Sequence, residues 1–146
     1  MGGDKVIVVL STGCWDPLHL GHIQHLEAAS RLGTRLVVAV ASDEVVIAKK
    51  GYCLLPLEDR VAVLQGLRWV SEVLVSVGTQ RSDARTLEIV RPHILAKGGD
   101  KTPENMWPDE IATCERLGTR IVYEVGGGKI RSSSALIHKA LQAMYG

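Results

Sequence analysis

His19 and His22 stand one helical turn apart with Gly21 between them. They follow an apolar run, Val6-Ile7-Val8-Val9-Leu10, and lead into a helical pattern from Ile23 to Leu32. The first N–H groups of a helix have no partner inside it, and the dipole is positive there, so an anion is stabilised at such a junction. Two imidazoles add donors on the same side, and Gly21 removes a side chain that would block close approach. The spacing therefore predicts a phosphate site. Thr12, Gly13, Cys14, Trp15 and Asp16 lie beside it. Asp16 could help hold a magnesium ion, position a histidine or cap the helix entry. Cys14 reads as a packing residue, because alternation with Trp15 turns one of the two inward.

Other charged and hydroxyl clusters recur along the chain. Lys97-Gly98-Gly99-Asp100 combines a point charge for phosphate with glycines that let the backbone approach a ligand. Ser132-Ser133-Ser134 follows Lys129-Ile130-Arg131 and opens a last helix, giving a cap plus donors for a polyphosphate. Lys49-Lys50-Gly51 reads either as a solvated loop or as a mobile lid over a phosphate. Arg60, near a helix start, and Arg68 are further candidates for holding phosphate.

Strands are predicted over Val6–Leu10, Leu36–Ala41, Glu72–Val77, His93–Ala96 and Arg120–Tyr123. Helices are predicted over Leu20–Leu32, Leu57–Leu67, Ser82–Val90, Pro103–Leu117 and Ser132–Met144. Short continuous apolar strands such as Leu36-Val37-Val38-Ala39-Val40 suit a sheet covered on both faces. Regular alternation implies right-handed crossovers, hence an α/β fold: a Rossmann-like, doubly wound, five-stranded parallel sheet with helices on both faces. Ligands of such sheets gather at the carboxyl ends of the strands, where strand order reverses. Gly33 and Gly118 each follow a helix end and are expected as left-handed caps. Gly126-Gly127-Gly128 reads as a flexible or phosphate-adjacent loop.

With 146 residues, 46% of them apolar, the chain suits one domain over 1–146 with a real core. A net charge of +1 gives no reason to expect a nucleic-acid or membrane-surface partner. No stretch approaches a membrane span and the amino end lacks a secretory pattern. Cys14, Cys53 and Cys114 show no metal spacing and read as reduced thiols of a cytoplasmic protein.

The stretch Gly13 to His22 resembles the His-x-Gly-His signature of the cytidylyltransferase-like nucleotidyltransferases. That family includes glycerol-phosphate cytidylyltransferases, the adenylyltransferase part of ADP-heptose synthases, and relatives that make coenzymes. The resemblance extends over about Val6 to Leu141. Arg91 to Asp100 is similar to the Lys-Gly-Gly-Asp segment of the ADP-heptose synthase part, with Lys101 where that family usually has tyrosine. Arg68-Trp69-Val70-Ser71-Glu72-Val73 resembles the Arg-Tyr-Val-Asp-Glu-Val segment of the cytidine branch. Ser132 to Ser134 resembles the family's second signature.

The resemblance implies transfer of a nucleoside monophosphate from ATP or CTP, bound with Mg2+, to a sugar- or polyol-phosphate. It gives His19 and His22 the stabilisation of transition-state charge. Lys97 and Arg60 join them as catalytic candidates, Arg60 near the acceptor phosphate. Thr12, Gly13, Cys14, Trp15, Gly21, Gly98, Asp100 and the three serines become nucleotide contacts. Asp16, Lys49, Lys50, Arg68 and Arg131 become acceptor or phosphate contacts. It also suggests a homodimer. Adenylyl transfer of the ADP-heptose type leads. A glycerol-phosphate-type cytidylyltransferase, a coenzyme adenylyltransferase and a non-catalytic nucleotide-binding module are the alternatives.

Overall fold

A computed structural model describes residues 5–128 and 131–146. Lys129 and Ile130, part of the approach to the serine cluster, lie outside the described residues. The chain runs β1 (Val8–Gly13), α1 (Leu20–Ser30), β2 (Arg35–Val40), α2 (Asp43–Lys50), α3 (Leu57–Gln65), β3 (Glu72–Val75), α4 (Ala84–Val90), β4 (Ile94–Ala96), α5 (Pro108–Leu117), β5 (Arg120–Val122) and α6 (Ser133–Tyr145). The five strands form one sheet in the order β3-β2-β1-β4-β5. Every pairing is parallel, with Val9 opposite Leu36 on one side and Ile94 on the other. This is the expected doubly wound Rossmann-like sheet, and its order reverses between β1 and β4.

Alternate residues of β2 enter opposite layers, as a period of two requires. Leu36, Val38 and Val40 pack with Leu26, Ala29 and Leu64 on the α1–α3 face. Val37 and Ala39 pack with Leu87 and Cys114 on the α4–α5 face. Burial on both faces explains why these strands are apolar throughout.

Several elements depart from the sequence expectation. β1 continues through Ser11, Thr12 and Gly13, since β2 pairs with it as far as Gly13. α5 starts at Pro108 rather than Pro103. Ahead of it, the Asn105 side chain accepts from Thr102 N–H at 2.9 Å and donates to Asp100 O at 2.8 Å, holding a turn in place of helix.

α2 occupies the stretch read as a loop or lid. Ser42 Oγ accepts from Val45 N–H, Asp43 and Glu44 fill the first turn, Lys49 and Lys50 the last, and Gly51 closes it at φ 88°. Cap, charges and glycine all favour that helix.

The two near-identical segments 31–37 and 116–122 use their glycines differently. Gly118 is a left-handed cap at φ 75°, as expected. Gly33 instead serves close approach: a Cβ there would meet Ile7 O at 2.6 Å.

Candidate functional site

A cavity of about 320 Å³ opens at the carboxyl end of the sheet, over the reversal between β1 and β4. Thr12, Gly13, Trp15, His19, Gly21 and His22 line one wall. Lys97, Gly98 and Asp100 line the other, with Gly126 to Gly128, Arg131 and Ser132 to Ser134. Lys49 and Lys50, at the end of α2, complete the set.

His19 is the N-cap of α1. Gly21 N–H donates to His19 Nδ1 at 3.1 Å, and His19 N–H donates to His22 Nδ1 at 3.2 Å. The rings stack with centroids 3.9 Å apart. With each Nδ1 accepting, the neutral imidazoles carry their protons on Nε2. Helix capping thus fixes both the rotamer and the donor of each histidine. Trp15 backs His22 at 5.1 Å between centroids, and its Nε1–H donates to Ala39 O at 3.1 Å. Trp15 adopts φ 55°, so Cys14 and Trp15 do not alternate as in a strand: both are buried.

The serines come from the far end of the sequence. Ser132 Oγ caps α6 by accepting from Ala135 N–H at 3.2 Å. Ser133, buried, donates to Pro17 O at 3.0 Å and so fastens α6 to the histidine loop. Ser134 Oγ accepts from Tyr52 Oη–H at 3.2 Å. The N-termini of α1 and α6 therefore border the same cavity, and both favour an anion.

Lys97 is buried and sits 3.3 Å from Glu110 Oε1. Glu110 Oε2 also accepts from Asp83 N–H at 3.0 Å, linking the lysine to the 79–83 loop that lines the cavity. The cavity walls carry Lys49, Lys50, Arg81, Lys97, Lys101 and Arg131 against Asp83, Asp100 and Glu110. That excess of cations suits a polyanionic ligand.

Four expected residues do not line this cavity. Arg60 is 1% exposed, and its guanidinium donates to Leu55 O, Cys14 O, Ala41 O and Asp43 Oδ1 at 2.6–2.9 Å. It is a strut beneath the site, not a phosphate contact. Asp43, beside that guanidinium, is held below the usual carboxylate range. Asp16 is fully buried, and its two oxygens accept from Leu54 N–H at 2.6 Å and Leu55 N–H at 2.7 Å. It anchors the segment before α3 rather than a metal or a histidine. Cys14 packs beneath the wall with Ala41 and Val46, and its carbonyl accepts from Arg60. Arg68 is exposed over the Trp69 ring at 5.0 Å, just before β3 and so at the amino end of the sheet. Among the described residues no group of three or more His, Cys, Asp or Glu could hold a metal ion.

The structure adds His25 to the site. Its Nδ1 lies 2.9 Å from Val125 O and its Nε2 2.6 Å from Ser11 Oγ, and it lines the cavity. Burial pushes its pKa below 6.5, with Lys97 adding to the effect. Its position, one turn beyond His22 on the same helix face, was a legible signal. The structure also adds Glu110, and nothing in its sequence context marks it.

The profile of the cytidylyltransferase-like family matches residues 10–137. The chain belongs to that family of nucleotidyltransferases. It is 40% identical over 132 residues to the bifunctional protein HldE of Hahella chejuensis, across 89% of this chain and 24% of that one. It is 42% identical over 127 residues to HldE of Haemophilus influenzae, across 86% and 24%. The chain thus spans about a quarter of the length of these relatives. Among solved structures, a lipopolysaccharide core biosynthesis protein from Thermoplasma volcanium matches with TM-score 0.69 and 30% identity, over 82% of this chain and 96% of that one. Pantoate–β-alanine ligase from Francisella tularensis shares the fold, with TM-score 0.51 and 14% identity over 82% and 58%. No helix among the described residues is long and apolar enough to cross a membrane.

Proposed function

We propose that this family member transfers an adenylyl group from ATP to a sugar phosphate, releasing pyrophosphate. One observation carries the reading: histidines from one end of the sequence and serines from the other border a single cationic cavity at the reversal of the sheet. The HldE relatives favour the ADP-heptose type over the cytidine branch. The Arg68–Val73 stretch that resembles the latter begins at the amino end of β3, away from the cavity.

An acceptor phosphate oxygen attacks the α-phosphorus. The bond to the β-bridging oxygen breaks, and pyrophosphate departs with the electron pair. Negative charge grows on the non-bridging and leaving oxygens, where fixed donors lower the barrier most. His19 and His22 present Nε2–H donors to those oxygens. Lys97, held in the wall by Glu110, gives a point charge at the end of β4. The β- and γ-phosphates take the α6 N-terminus, while Lys49, Lys50 and Arg131 hold the remaining phosphate charge. Magnesium would come with the triphosphate as part of the substrate and would neutralise phosphate charge, since among the described residues no cluster of three or more His, Cys, Asp or Glu could hold it. A homodimer in a reducing cytoplasm completes the proposal.

A pyrophosphate-release screen of ATP, CTP, GTP and UTP against sugar phosphates and glycerol phosphate tests it. ATP with a sugar phosphate is the expected pair. CTP with glycerol phosphate would move the chain to the cytidine branch. Tight nucleotide binding with no release across the panel would make it a binding module.

A further inference from the structure

We propose that His25 is a positioning residue that sets the spacing between the two walls of the phosphate cavity through its hydrogen bond to the Val125 carbonyl. The inference deepens the nucleotidyl-transfer reading and rests on it.

A carbonyl oxygen only accepts, so His25 Nδ1 carries the proton in the 2.9 Å bond to Val125 O. His25 Nε2 then accepts from the Ser11 hydroxyl at 2.6 Å. Val125 is held from its other side as well, its N–H donating to Lys97 O at 3.0 Å. The result is a continuous line from Ser11 on β1, through His25 on α1 and Val125, to Lys97 at the end of β4. It spans the point where the order of the sheet reverses. On one side of it stand His19 and His22. On the other stand Lys97 and the glycine loop that leads to the serines.

A second observation shows how tightly the gap is drawn. Gly126 adopts φ 91°, and a Cβ on it would fall 2.6 Å from His25 Cα and 2.8 Å from His25 N. The loop backbone therefore lies against α1 at this one residue, and the imidazole fixes it there. The Trp15 ring, 6.2 Å away between centroids, packs beside the imidazole, and Lys97 and Asp100 are the charges that act on it. Both walls must reach one chain of phosphates, and a misplacement of about 1 Å can cost about 10²-fold in rate.

Two conservative variants separate the two bonds of the imidazole. In His25→Asn the side-chain amide nitrogen falls near the place of Nδ1 and keeps a donor toward Val125. In His25→Gln the polar group falls near Nε2, keeping Ser11 and losing Val125. The affinity for inorganic tripolyphosphate is measured by calorimetry, beside pyrophosphate release and a thermal melt of each variant. His25→Gln is expected to weaken tripolyphosphate binding and lower turnover about tenfold or more, and His25→Asn to stay within about threefold of the unsubstituted chain. Equal losses in the two variants, or a larger loss in His25→Asn, overturn the proposal. If His25→Gln does not fold, His25→Asn decides alone: a tenfold loss in it overturns the proposal. An unsubstituted chain that binds tripolyphosphate yet turns over no triphosphate removes the enzyme reading, and the affinities still test the positioning. An unsubstituted chain that binds no polyphosphate overturns both.

Discussion

Replacing Arg60 by methionine tests whether this arginine supports the site or acts in it. The apolar stem stays, and the four donated hydrogen bonds go. Asp43 is 41% exposed at its side chain and can be rehydrated. The carbonyls of Cys14 and Ala41 lie in the buried part of the network and lose the donor Nη1 at 2.8 and 2.7 Å. A buried acceptor left without its donor costs about 1–3 kcal/mol, so two such groups and a cut ion pair give roughly 3–5 kcal/mol. For a domain of this size that lowers the melting temperature by roughly 10–15 °C. The assay pairs a thermal melt with pyrophosphate release far below the transition, where the variant is still folded. Turnover should then stay within about tenfold of the unsubstituted chain, the remaining loss coming from a loosened floor under the cavity. An unchanged melt together with abolished turnover would refute the reasoning, because it would put the guanidinium on a phosphate.

His19→Ala should lower turnover by about two or more orders of magnitude, the size found for removing one oxyanion donor, and also cost about 1 kcal/mol as a lost cap. Near-normal turnover in a steady-state assay would count against the histidine assignment. Asp16→Ala frees the Leu54 and Leu55 N–H groups and should destabilise by roughly 2–4 kcal/mol in a denaturant melt. The magnesium concentration for half-maximal turnover should not move, and a large shift would restore the aspartate as a metal ligand. The pKa of His25 is depressed in the folded state, so the unfolded chain binds the proton more readily. Stability is then full above pH 6.5 and falls as the pH drops below it. Melts from pH 7.5 down to 5 should show this slope, and His25→Asn should flatten it. Parallel slopes would mean that the buried imidazole contributes nothing.

The sheet and the two ends of the site were legible because their signals are local and periodic. Five apolar β-branched runs gave the strands. The histidine pair and the serine cluster each announce a helix start. Three of the misses share one physical origin. Arg60, Asp16 and Arg68 are charged residues near motif segments, and sequence cannot say whether a charge faces a ligand or satisfies buried backbone. For Arg60 and Asp16 the decisive partners include backbone groups 19 to 46 positions away, at Cys14 and Ala41 for the arginine and at Leu55 for the aspartate. α2 differs: Ser42, Asp43, Glu44, Lys49, Lys50 and Gly51 form a complete set of helix boundary signals, but the Lys49-Lys50-Gly51 end taken alone suits a solvated loop or a lid equally well. Gly33 and Gly118 show that near-identical local sequence can meet different demands, one of space and one of backbone angle.

The hydrogen bond from Ser133 to the carbonyl of Pro17 joins positions 116 apart. During synthesis the central strands can pair and bury their apolar faces long before residue 133 leaves the ribosome. The histidine loop must then wait, the serine wall of its cavity absent, until the last helix docks. A chain lacking that helix would lose the Ser133 tie to Pro17 and the serine wall of the cavity, so the cavity takes its shape only after the sheet beneath it has formed.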